Sequence, residues 1–124
     1  MSTEKTRDMV GDKGDATAST KEFKQAVNMS AKVLTEWLKT DESKAVGFKN
    51  SEGGESVGHL SGRKIVEMLD KPEADFSSDD VAHARKVVGY IHRHSAQRPQ
   101  GDISQTHWRY SLMNWGYDPL KTKT

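Results

Sequence analysis

The chain has 124 residues, 33% of them hydrophobic, no cysteine, and a formal net charge of +1. That length corresponds to one domain, and the missing thiols exclude disulfides, thiolate zinc sites and a cysteine nucleophile. Bulk charge names no partner. No apolar run approaches the ~18 residues of a membrane span, and Met1–Ala18 has no apolar stretch of the secretory type, so no membrane partner and an intracellular location are expected.

The first twenty residues hold one valine, two alanines and two methionines among Ser, Thr, Gly and charged residues. Such a segment buries too little apolar surface to offset its ordering entropy, so 1–20 reads as a disordered tail whose removal leaves the fold intact. Residues 21–120 read as the helical domain, and 121–124 as a short basic end. Phe23 and Val27, at i and i+4, predict a helix over Lys21–Asn28. Ser30 caps a second helix whose apolar face is Val33, Leu34, Trp37 and Leu38. Thr40, with Asp41 and Glu42 behind it, restarts a short third helix that Gly47 ends. Asn50–Gly54 is loop.

Ser56 or Ser61 opens the next helix, with Ile65, Met68 and Leu69 as core residues and Pro72 supporting a stop near Asp70. Ser77 and Asp80 form a capping box ahead of a long helix running to about Gln97, where Pro99 disfavours helical geometry at Arg98. A last helix spans about Gln105–Asn114, with Trp108, Leu112 and Trp115 at core spacing. Gly116 is its left-handed cap, and Pro119 prevents continuation. No period-2 strand and no repeat is evident. The expected fold is an all-α bundle of four or five helices, with the long helix central and Trp37, Leu69, Ile91 and Trp108 sharing one core.

Charge is unevenly distributed. Residues 41–80 carry five Lys/Arg against ten Asp/Glu, and residues 81–124 carry seven Lys/Arg against two Asp. Either the halves neutralise each other or stand solvated, or the basic half meets an acidic partner such as a nucleic-acid backbone. At 100° per residue, one face of the long helix reads Ala82, Arg85, Lys86, Gly89, His92, Arg93 and Ala96, within an arc of about 120°. The opposite face reads Ala84, Val87, Val88 and Ile91. Gly89 costs ~1 kcal/mol against alanine in an exposed helix interior. Close approach of a neighbouring helix or of a phosphate backbone would offset that cost.

Gly54-Glu55-Ser56-Val57-Gly58 has the spacing of a nucleophile elbow, but no strand leads into it and the chain is too short for the α/β sheet it requires. His92 and His94 lie two apart, which on a helix sends them about 200° apart, so no metal site is expected. Nothing calls for a cofactor, and no nucleophile stands beside a base. Trp108, Tyr110, Trp115 and Tyr117 cluster around Arg109, either as core anchors or, less bound by spacing, as stacking groups for bases. Ser61-Gly62-Arg63-Lys64 at a helix start is an anion site or a polar cap.

Several stretches together carry a family resemblance: Val27-Asn28-Met29-Ser30 with Trp37-Leu38-Lys39-Thr40; Gly54 to His59 with Ser61 to Val66; His83 to His94; and Gln97-Arg98-Pro99 with Trp108 to Gly116. The chain resembles a family of small uncharacterised microbial proteins known by a domain-of-unknown-function label, over about residues 23–120. The resemblance implies DNA binding, since some members are labelled so, and supplies no catalytic residue. The expected function is therefore non-enzymatic nucleic-acid binding, to DNA, through Arg63, Lys64, Arg85, Lys86, Arg93, Arg98 and Arg109, with Lys121 and Lys123 in reserve. The alternative is a protein-interaction or self-associating module, a homo-oligomer included, that pairs the acidic 41–80 segment with a basic C-terminal half.

Overall fold

A computed structural model describes residues 18–49 and 54–121. Residues 1–17 of the expected tail, 50–53 of the expected loop, and Lys123 lie outside the described residues. Within them are six α-helices and no β-strand. They are α1 (18–26), α2 (Ala31–Leu38), α3 (Asp41–Ala45), α4 (Val57–Leu69), α5 (Ser78–Ser95) and α6 (His107–Asn114), with a 3-10 turn at Glu73–Asp75 before α5. The all-α expectation holds. No helix among the described residues is long and apolar enough to cross a membrane.

Helix starts follow side-chain chemistry. The oxygens of Ser30, Thr40, Ser56 and Thr106 each accept from the backbone N–H three residues on, relieving donors that have no intrahelical partner. Ser77 and Asp80 form the reciprocal capping box. Between the two candidates for α4, Ser56 is the cap. Ser61 lies inside the helix, so Ser61-Gly62-Arg63-Lys64 is not a helix start and its backbone N–H groups are spent on the helix. At the far end, Gly116 takes φ +86°. Its N–H donates to the Met113 carbonyl at 2.9 Å, and the Tyr117 N–H to Leu112 at 3.1 Å. This is the Schellman closure that a glycine makes without steric cost.

Several boundaries move for tertiary reasons. α1 begins by residue 18, and Thr20 is buried. Residues 18–20 therefore belong to the packed unit rather than to a tail, and a cut at residue 20 removes a buried side chain. The helix stops at 26 because the Asn28 and Met29 N–H groups turn to the Gly116 carbonyl, at 3.0 and 3.2 Å. α5 ends at Ser95 and α6 starts at His107, each two residues inside the expected limits.

The core gathers Phe23, Leu34, Leu38, Ile65, Met68, Val87, Ile91 and Trp115, with Trp37 and Leu69 half-buried against it. Two expected members fall outside it. Val33 is 53% exposed, because α2 turns its Leu34–Leu38 stripe toward α4. Trp108 is half-buried, and its indole N–H donates to the His94 carbonyl at 2.7 Å. The long helix is not the hub either. α6 packs on α2, α3, α4 and α5, whereas the substantial pairing of α5 among these is with α6. Gly62 permits the tightest of these approaches: a Cβ there would stand 2.6 Å from the Asn114 carbonyl oxygen and 2.7 Å from Leu38.

Candidate nucleic-acid interface

α5 divides lengthwise into three strips. Ala84, Val87, Val88 and Ile91 are buried. Arg85, Lys86, His92 and Arg93 are exposed, and Arg85, Lys86 and Arg93 make no ion pair among the described residues. Between these strips lies an aromatic one. His83, Tyr90 and His94, spaced seven and four apart, share a helix edge. Their rings interleave with tryptophans of the last helix and its cap. His83 stacks on Trp115 (6.1 Å between centroids), Trp115 on Tyr90 (4.4 Å), Tyr90 on His94 (5.0 Å) and His94 on Trp108 (6.0 Å), all within 18° of parallel. Arg98 closes the row, its guanidinium 5.7 Å from the Trp108 ring. The 83/90/94 spacing was present in the sequence, but its partners in α6 were not recognisable as such.

The cation set is thus sorted by its partners. Arg63 donates to both oxygens of Glu55, at 2.9 and 2.7 Å. Glu55 also takes the Nδ1 of His59, whose Nε2 meets the Leu38 carbonyl at 2.7 Å. The Arg63 contact, more than the His59 one, draws the Glu55 carboxyl down to about 2. Arg109 is held by both oxygens of Asp118, at 3.1 and 3.0 Å, and by the Ser104 carbonyl at 2.8 Å. Lys121 reaches the Asn28 carbonyl. Arg63 and Arg109 therefore do not join the α5 face as unpaired cations, whereas Arg98, beyond the end of α5, has no carboxylate partner among the described residues and rests on the Trp108 ring. Tyr110 rests on Trp37 (5.4 Å), and Asn114 is fully buried, so neither stands free for a ligand. Arg85 gives its Nε–H to Ser19 at 3.0 Å and keeps the rest of its guanidinium outward. Arg93 folds back so that its guanidinium would lie 3.0 Å from a Cβ at Gly89. That fold-back, rather than a neighbouring helix, occupies the space over Gly89.

Two clefts flank the Lys86 side chain, of about 410 and 300 Å³, sharing Val57, Lys86 and Trp115 as a common wall. The larger is lined by Arg63, Lys64, Glu67 and His83, with the Ser61 hydroxyl 2.8 Å from His83 Nε2. The smaller is lined by Gly58, Tyr90, Arg93 and Ser111. Burial pushes His83 below the usual imidazole range, and Lys64 and Lys86 push it further. Burial does the same to His94. Both rings gain protons more readily in the unfolded chain, so stability rises with pH where they titrate. Thermal melts are expected to show a lower Tm at pH 5 than at pH 7, with the loss setting in below about 6.5. Replacing both rings by Gln should flatten that dependence. A wild-type Tm that ignores pH over this window would mean the rings stay solvated.

What the fold and these contacts define is a small all-α domain in which Arg85, Lys86 and Arg93 of α5 make no ion pair among the described residues and stand beside an aromatic row. The chain belongs to the family described as "Protein of unknown function (DUF3140)", which matches residues 22–113. No curated protein and no solved structure matches it.

Proposed function

We propose that this domain binds double-stranded DNA without catalysing a reaction, through phosphate contacts from Arg85, Lys86 and Arg93 on α5 and Lys64 on α4. The observation that carries the reading is the sorting of cations: Arg63 and Arg109 are consumed by bidentate carboxylates, while those of α5 have none. Arg85 and Arg93 stand about 12 Å apart along the helix axis, comparable to the width of the duplex major groove.

Self-association is the weaker reading. It would pair the acidic 41–80 segment of one copy with the basic C-terminal half of another, but Glu55 and Asp80 of that segment are already paired within the chain, to Arg63 and Lys71.

Binding to a duplex should weaken steeply with salt. Three or four phosphate contacts correspond to a slope of about −3 to −4 in log K against log salt. Replacing Arg85 and Arg93 together by Gln should flatten that slope by about two and leave folding intact, since both side chains lie outside the core. A titration at two salt concentrations decides it. No binding at low salt sinks the reading, and binding indifferent to the double substitution removes α5 from the interface. Dimerisation by sedimentation without duplex affinity would favour self-association instead.

A further inference from the structure

Phe48 is the most exposed large apolar side chain among the described residues, at 71%. Its backbone is nonetheless held: the Val57 N–H donates to the Phe48 carbonyl at 2.7 Å, and Lys49 pairs with Ser56 in an isolated antiparallel bridge. The phenyl ring thus stands at the edge of the smaller cleft, where Val57, Tyr90 and Trp115 supply further apolar wall. Lys86 and Arg93 line the same cleft from α5. No Asp or Glu of the described residues lines it, whereas Glu67 lines the larger one. At about 300 Å³ the cleft is at the lower limit of small-molecule pockets. An apolar wall with a cationic edge fits a short segment whose apolar side chains are flanked by acids.

This chain carries such a segment. Asp8-Met9-Val10-Gly11-Asp12 holds the one adjacent apolar pair of residues 1–17, with an aspartate to either side, and residues 8–15 carry three Asp against one Lys. The chain enters the described structure beside α5, since the Ser19 hydroxyl accepts from Arg85 Nε–H at 3.0 Å. From residue 18, eight residues lead back to Val10, an extended reach of about 26–29 Å. The cleft lies on the Lys86 side of α5. The path to it crosses one helix width of about 10–12 Å and runs at most about 12 Å along the axis, from Arg85 to Arg93. Tethering at that range gives the segment a local concentration of about millimolar order, which a free partner rarely reaches.

From this we infer that residues 8–15 dock in the smaller cleft of their own chain, with Met9 and Val10 against Phe48, Val57 and Tyr90, and Asp8 and Asp12 beside Lys86 and Arg93. Methionine suits a cleft of irregular outline, because its unbranched side chain adapts to it. Pairing with exposed cations adds little stability and sets the orientation. While docked, the segment withholds Lys86 and Arg93 from phosphate. The docking stands apart from the DNA reading, whereas this competition with a duplex rests on it.

The test is paramagnetic broadening in the whole chain. The sequence has no cysteine, so Thr6→Cys takes a single nitroxide label close to Asp8. The amide signals of Val57, Gly58 and Tyr90 should broaden, and Met9→Ser with Val10→Ser should restore them at unchanged net charge. The same two substitutions should tighten duplex binding about two- to fivefold, which corresponds to a docked fraction of about one half to four fifths. Broadening without duplex affinity in either chain keeps the docking and removes the DNA reading. Cleft signals that stay sharp overturn the docking, whatever the duplex does. Broadening that survives the Met9 and Val10 substitutions overturns it as well, since the apolar pair is then not the anchor. Broadening passed from a labelled chain to an unlabelled one in a mixture identifies a second copy as the occupant and overturns docking within one chain. Duplex affinity unchanged by the substitutions, with the broadening lost, overturns the competition.

Discussion

Asn114→Ala is expected to destabilise this domain by about 3–5 kcal/mol, because each buried polar group left without a partner costs about 1–3 kcal/mol. The Asn114 side chain is fully buried, and it joins three helices through hydrogen bonds. Its Oδ1 accepts from Trp37 Nε1 at 2.7 Å and from the Ser43 hydroxyl at 2.5 Å, while its Nδ2 donates to the Ser43 carbonyl at 3.0 Å. Alanine removes all three bonds and leaves the indole N–H, the hydroxyl and the carbonyl in a space too tight for α6 to move away. Against a typical total of 5–15 kcal/mol, that is a large share of the stability. Urea unfolding of wild type, Asn114→Ala, Trp37→Phe and the double variant measures it. Phenylalanine removes one orphaned donor, so the double variant should cost less than the two single ones together. A loss below about 1 kcal/mol for Asn114→Ala would mean that water replaces the network.

Ile91→Ala is expected to cost about 2–5 kcal/mol, the range for removing a buried branched side chain and leaving a partly collapsed cavity. Ile91 is 4% exposed, at the centre of the buried strip of α5. Ala96→Ser, at the exposed C-terminal cap of the same helix, should change stability by less than about 0.5 kcal/mol. Both are read from the midpoint and slope of the same urea curves. Similar losses at the two positions would mean that the helix presents a different side to the core.

The helix order, the caps at Ser30, Thr40 and Ser77, the Gly116 closure and the division of α5 into apolar and cationic faces were legible from the residues alone. Each rests on interactions within about four residues along the chain, and there the period of the helix and the geometry of a cap decide the outcome. The unpaired state of Arg85, Lys86 and Arg93 was partly legible too, since no acid stands one helical turn from Lys86 or Arg93. What lay beyond that range was decided by chain reversal. Glu55 and Asp118 claim Arg63 and Arg109 from eight and nine residues away, and whether they do so depends on how a loop returns. The burial of Asn114 depends on Ser43 and Trp37, 71 and 77 residues earlier, which close over it. Trp108 and Trp115 have the same core spacing in sequence. Trp115 enters the core at the turn that ends α6, whereas Trp108 lies about two turns earlier, at the start of α6 and beside the end of α5, where the His94 carbonyl accepts from its N–H. Sequence periodicity therefore determined which faces are apolar. Only the tertiary structure, through loop returns and the packing of α6 against four other helices, decided which cations are paired and which polar side chains are buried.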